Sequence, residues 1–92
     1  MTLFSAQDAE QRLTSLPGWA VENGELVKTF TFKDFREALA FVNNTGEAAE
    51  SAGHHPDIDI RYNRVRLALV THDAGGLTEK DFNLASGINK LV

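Results

Sequence analysis

Apolar residues recur along the chain in two periods, one suited to helices and one to strands. Ser5-Ala6-Gln7-Asp8 has the form of a helix start. The Ser side chain can accept from a free N–H, and an acid three residues on favours the positive helix end. This first helix is expected to run to about Leu16 and to stop before Pro17-Gly18. Trp19 to Glu22 reads as a strand, and Asn23-Gly24 is a strong hairpin signal because both residues tolerate positive φ. The return strand, Glu25 to Phe32, puts Leu26, Phe30 and Phe32 on one face and Thr29 and Thr31 on the other. A second helix is predicted from near Asp34 to about Ala52, with Phe35, Leu39 and Val42 as its apolar stripe, widened by Ala38 and Phe41. Gly53 suits its C-terminal cap. Ile58, Ile60 and Tyr62 alternate with polar residues as a half-buried strand does. Asn63-Arg64 is the expected turn, Val65 to Thr71 the next strand, and Gly75-Gly76 a break. Thr78-Glu79-Lys80-Asp81 opens a third helix through a capping box, with Phe82, Ala85, Ile88 and Val92 on its buried side.

The resulting order is α-β-β-α-β-β-α. Two hairpins separated by helices predict an α+β, two-layer fold: a four-stranded antiparallel sheet with three helices packed on one face. The 92 residues suit a single domain, 1–92. Such a sheet has exposed edges, and pairing through an edge strand is one route to a homo-oligomer.

Composition removes several classes of function. The chain has no Cys, so disulfide scaffolds, thiolate metal sites and thiol catalysis are excluded. With 9 basic and 13 acidic residues it carries a formal charge of −4, which speaks against direct nucleic-acid binding. The one local basic cluster, Arg61, Arg64 and Arg66, is interrupted by Asp57 and Asp59 and reads as a solvated sheet face. No apolar run is long enough for a membrane span, and the N-terminus has no signal-peptide pattern, so a cytoplasmic location is expected.

The chain has three His: His54, His55 and His72. With Asn63-Arg64 as the hairpin tip, Tyr62 pairs with Val65 and His55 lies opposite His72 at the sheet end. Pro56 holds His55 extended. The three imidazoles are therefore expected at one end of the sheet, near Gly53 and the Gly75-Gly76 loop. Such a cluster suits general acid–base chemistry near neutral pH. The same residues leave two other readings open. They can be solvated loop histidines, or, as three His or two His with Asp73, ligands to zinc or iron as in a metal-dependent hydrolase. No Gly-x-Ser-x-Gly context surrounds the nearby hydroxyls of Thr71 and Thr78, which argues against a nucleophilic triad.

The segments Gly53-His54-His55-Pro56, Tyr62-Asn63-Arg64-Val65, Thr71-His72-Asp73, Gly76-Leu77-Thr78-Glu79-Lys80-Asp81 and Leu84-Ala85 together resemble the pterin-4a-carbinolamine dehydratase family. Gly18-Trp19 and Phe30-Thr31-Phe32-Lys33-Asp34-Phe35 extend the resemblance upstream, from about Leu16 onward. Gly53 stands where some relatives have an acid, and Ile58 where animal members have a Trp.

The resemblance implies dehydration of 4a-hydroxytetrahydropterin to quinonoid dihydropterin, with no metal and no cofactor. It places the protein in tetrahydrobiopterin recycling, with an aromatic amino-acid hydroxylase as metabolic partner. It further implies a dimer or tetramer joined at sheet edges. By the same resemblance, His54 and His72 are the proton-transfer pair and His55 positions the pterin. The substrate-contacting set then comprises His54, His55, Pro56, Thr71, His72, Asp73 and Ala74. Glu50, one helical turn before His54, and Asp81 are candidates to orient imidazoles; each also has a plain structural role, as an exposed helix carboxylate and as a cap. A competing function is a non-catalytic dimeric binding module or assembly factor, as animal relatives serve as cofactors of a homeodomain transcription factor.

Overall fold

The computed structural model describes residues 2–92. Along the chain lie α1 (Ala6–Leu13), β1 (Ala20–Glu22), β2 (Glu25–Thr31), α2 (Phe35–Ala52), β3 (Asp57–Arg61), β4 (Arg64–Leu69), a 3-10 turn (His72–Ala74) and α3 (Glu79–Asn89). The strands form one antiparallel sheet in the order β1-β2-β4-β3, so the order and layout expected from the sequence are those observed.

Local chemistry sets the boundaries. Ser5 accepts from the Asp8 N–H at 3.1 Å, and Asp34 accepts from the Glu37 N–H at 2.9 Å, so two helices begin on side-chain caps. The first helix closes earlier than expected, at Leu13. Its last turn tightens into three-residue hydrogen bonds, ending with Leu16 N–H to Leu13 C=O at 3.0 Å, and this carries Leu16 into the core. Asn23 and Gly24 both have positive φ, 52° and 78°, as the first hairpin requires.

The core lies between the sheet and the helices. Leu26, Phe30, Val65, Leu67 and Leu69 face Ala38, Phe41, Phe82, Ala85 and Ile88. Phe30 and Phe32 lie 4.6 and 4.9 Å from Phe41 between ring centroids, and Phe4 stacks on Phe82 at 4.7 Å.

Three expectations are corrected. The second hairpin turns at Tyr62-Asn63 rather than Asn63-Arg64, because Arg61 pairs with Arg64. Asn63 explains the shift: its carbonyl accepts the Phe32 N–H, and its amide donates to the Phe32 carbonyl, each at 2.8 Å. That clamp to the end of β2 fixes Asn63 as the second turn residue. The pairing moves by two positions, so the strand residues keep their expected faces, while Tyr62, expected on the half-buried face, moves into the turn with φ 51° and is exposed. On α2 the buried stripe is Ala38, Phe41, Thr45 and Ala49. Phe35 and Leu39 lie at its margin, 46% and 43% exposed, beside Tyr62. Val92 is exposed because α3 ends at Asn89, before the stripe reaches it.

Candidate active site

The site grows from three chain breaks at one end of the sheet. At the first, Gly53 takes a left-handed conformation (φ 63°), and the His54 N–H closes back on the Ala49 carbonyl at 3.1 Å. His54 is thereby held at the last turn of α2 and not on a free loop. At the second, Thr71 and Gly76 bridge across a tight loop, with Thr71 N–H to Gly76 C=O at 3.1 Å. Within that loop the 3-10 turn carries His72 and Asp73, both exposed. His72 is therefore not paired opposite His55 in the ladder, as the strand reading expects, because β4 ends at Leu69 and β3 begins only at Asp57. The third break is the start of α3, where Thr78 is the N-cap and Asp81 completes the capping box.

These pieces meet at Asp81, which is fully buried. One carboxylate oxygen, Oδ2, accepts the Thr78 N–H at 2.9 Å and the Thr71 hydroxyl at 2.8 Å. The other, Oδ1, lies 2.6 Å from His54 Nε2. The Thr71 proton goes to Asp81, so at the 2.8 Å contact between the two threonine hydroxyls it is Thr78 that donates. Thr78 Oγ1 in turn accepts the Lys80 N–H at 3.3 Å. Every donor around Asp81 thus points at it, and a carboxylate only accepts. Nε2 of His54 must carry the ring proton, which leaves Nδ1 as the basic nitrogen. Nδ1 has no protein partner among the described residues.

His54 is 9% exposed and forms one wall of a small open cleft of about 260 Å³. The cleft brings together His54, His55 and His72 with Thr71, Asp73 and Lys80. The imidazoles therefore do converge, although through a loop and a helix end rather than a ladder. Pro56 and Ala74, expected among the contacts, do not line this cleft. His55 projects into solvent, its Nε2 2.5 Å from Glu50 Oε2, so Glu50 partners His55 while Asp81 partners His54. Behind His54, α2 and α3 bound a more apolar recess of about 490 Å³, lined by Ala48, Ala52, Leu84 and Gly87 and also reached by Lys80. Among the described residues, no group of three His, Asp or Glu side chains is arranged to hold one metal ion.

Two features of the site go beyond the sequence reading. Lys80 touches both recesses, and its only signal was its place one residue before Asp81 in the capping box. In the Thr78 to Thr71 to Asp81 relay the capping box signals Thr78 and Asp81, whereas Thr71 joins them only when the loop closes.

Residues 2–91 match the family described as pterin 4 alpha carbinolamine dehydratase. A protein of Acidobacterium capsulatum, provisionally named a pterin-4-alpha-carbinolamine dehydratase, is 59% identical over 92 residues, the whole of both chains. One of Chloroflexus aurantiacus with the same provisional name is 60% identical over 90 residues, covering 98% of this chain and 96% of that one. A crystal structure of a transcriptional coactivator/pterin dehydratase from Brucella melitensis superposes with a TM-score of 0.93 at 32% identity, covering 98% of each chain. A pterin dehydratase-like RuBisCO assembly factor of the alpha-carboxysome shares the fold, with a TM-score of 0.65 at 23% identity over 79% of this chain and 84% of its own.

Proposed function

The chain belongs to the pterin 4 alpha carbinolamine dehydratase family, and on that footing we propose that it is a hydro-lyase acting on 4a-hydroxytetrahydropterin by histidine acid–base catalysis. The observation that carries this reading is the His54–Asp81 pair at 2.6 Å on the wall of a cleft that also holds His72. The reaction breaks the C4a–OH bond and the N5–H bond and releases water and quinonoid dihydropterin. Asp81, by accepting from Nε2, keeps the lone pair of Nδ1 available, so His54 takes the N5 proton. His72, on the exposed turn and in contact with solvent, protonates the leaving hydroxyl. His55, steadied by Glu50, borders the pterin. Thr71 and Asp73 flank it on the loop side. Asp81 touches no substrate and is a positioning residue.

The same reading extends to context. Pterin recycling beside an aromatic amino-acid hydroxylase is the metabolic setting the chemistry fits. A homo-oligomer through the β3 edge is supported by exposed Ile58 on β3 and by the exposed apolar group of Tyr62, just past its end, with Phe35 and Leu39 of α2 beside it. The opposite edge, β1, is only three residues long and offers a poor ladder. No helix among the described residues is long and apolar enough to cross a membrane. The relative titled transcriptional coactivator/pterin dehydratase keeps a binding role as the second reading, and that same apolar edge would serve it.

The test is stopped-flow mixing of chemically prepared 4a-hydroxytetrahydropterin with wild type and with the His54→Ala/His72→Ala variant, following quinonoid dihydropterin by absorbance. Acceleration by wild type alone supports the enzyme reading. No acceleration over buffer makes the binding role the leading one.

A further inference from the structure

The helices cover one face of the sheet, and the other face is open. The register fixes what stands there. Val65, Leu67, Ile60 and Phe30 point to the core, so Arg64, Arg66, Arg61, Asp59, Thr29 and Thr31 point to the open face. Arg61 and Arg64 are direct cross-strand partners on the last rung of the β3–β4 ladder. Like charges directly opposite oppose pairing. Two rungs along, the next on this face, Arg66 stands between Thr29 on β2 and Asp59 on β3. Together Thr29, Asp59, Arg61, Arg64 and Arg66 line a recess of about 280 Å³.

The three guanidinium groups are poorly matched within the protein. Arg61 Nε reaches Asp59 Oδ1, and Arg66 Nη2 reaches Glu22 Oε1, each through one contact at 3.4 Å between exposed side chains. Arg64 makes no salt bridge among the described residues. Each fork therefore keeps free N–H groups, and one recess holds three guanidinium groups against one carboxylate. Paired planar forks are the arrangement that phosphate oxygens accept in bidentate fashion.

We propose that this recess on the open sheet face binds a small phosphate ester or diphosphate, with Arg61, Arg64 and Arg66 as its forks and Thr29 as a hydroxyl donor. The ligand is small for two reasons on the same face. A recess of about 280 Å³ takes a diphosphate or a small ester and not a polymer, and Asp57, Asp59, Glu22 and Glu25 fence the basic patch, which denies a polynucleotide a continuous track. The site is separate from the histidine cleft. Arg64 and Val70 stand six residues apart on one extended segment, a span of about 20 Å at roughly 3.3 Å per residue. Binding there would also relieve the Arg61–Arg64 repulsion, so the ligand would stabilise the β3–β4 hairpin.

The test uses pyrophosphate as the probe. Two-dimensional NMR of the intact protein at low ionic strength is expected to show saturable shifts at the Arg61, Arg64 and Arg66 side-chain Nε–H signals and at the Thr29 amide. Thermal unfolding is expected to shift upward with pyrophosphate in wild type. Arg64→Gln, at an exposed position away from the cleft, should weaken binding about tenfold or more. It should keep wild-type dehydratase activity and lose the pyrophosphate-dependent thermal shift. Arg61→Gln should behave alike. Absence of saturation at millimolar pyrophosphate overturns the proposal, as does binding that both variants retain. A short single-stranded DNA that binds this face more tightly than pyrophosphate overturns it in favour of a nucleic-acid surface.

Discussion

The two ends of α3 are each pinned by a buried or half-buried polar side chain, and they differ in what they leave free. At the C-terminal end, Asn89 Oδ1 accepts the Trp19 indole N–H at 2.8 Å and a Lys28 Nζ proton at 2.9 Å, and its amide donates to the Pro17 carbonyl at 3.3 Å. Lys28 also donates to Pro17 at 2.8 Å and lies 4.5 Å from the centre of the Phe30 ring. Every group in this cage faces another, so it closes the fold and offers no reactive atom. At the N-terminal end Asp81 gathers three donors in the same manner, but one of them is an imidazole. An indole has one nitrogen and is used up by its bond. An imidazole has a second nitrogen, and its orientation is fixed by the bond the first one makes. A satisfied network can thus hold a functional group only when a member has a valence to spare.

Asp81→Asn should remove the difference between the two ends of α3. The amide oxygen can still accept from Thr78 and Thr71, but the opposite atom becomes a donor aimed at Nε2. His54 must then hold its proton on Nδ1, turned away from base chemistry. Dehydration is expected to fall about 100- to 10,000-fold, with the folded structure retained by circular dichroism. A loss of activity that merely follows the folded fraction would reduce Asp81 to a helix cap.

Next in size is His72→Ala, which should cost about 100-fold in activity and leave the melting temperature unchanged, since His72 is exposed and makes no side-chain hydrogen bond in the described structure. Asn89→Ala sharpens the contrast from the other end. It strands the Trp19 indole N–H and removes a Lys28 partner, and is expected to lower stability by about 1–3 kcal/mol in urea unfolding, with activity per folded molecule unaltered.

Much of this was legible in the sequence where the signal is local. Ser5, Asp34, Gly53 and Thr78 mark helix ends by chemistry that acts within one turn. The Asn23-Gly24 hairpin is equally local. The second hairpin was misplaced by one residue because its tip is decided at long range, by Asn63 holding Phe32 across 31 positions. Phe35 and Leu39 read as core residues because hydrophobicity alone does not tell a buried stripe from its exposed margin. At the site, the hairpin register alone gathers the three histidines at one end of the sheet, and the resemblance adds Glu50 and Asp81 as partners for them. Which acid serves which imidazole is settled by the direction each side chain leaves its helix, information that spacing does not carry.

The smallest effect tests whether the closed cage is truly closed. Burial holds the Lys28 ammonium below its ordinary value of 10.5. A lysine depressed in the folded state binds fewer protons folded than unfolded over the interval between the two values. Stability therefore rises with pH across that interval, and this contribution is complete only above 10.5. Replacing Lys28 by Met keeps much of the aliphatic stem beside Phe30 and removes the titrating group. Urea midpoints measured from neutral pH upward should climb less steeply for Lys28→Met than for wild type as pH approaches the lysine value, while the two activity profiles stay parallel. Identical slopes would mean that water reaches Nζ freely. The C-terminal end of α3 would then be an open, solvated contact, and the contrast with the protected Asp81 would rest on exposure rather than on the spare imidazole nitrogen.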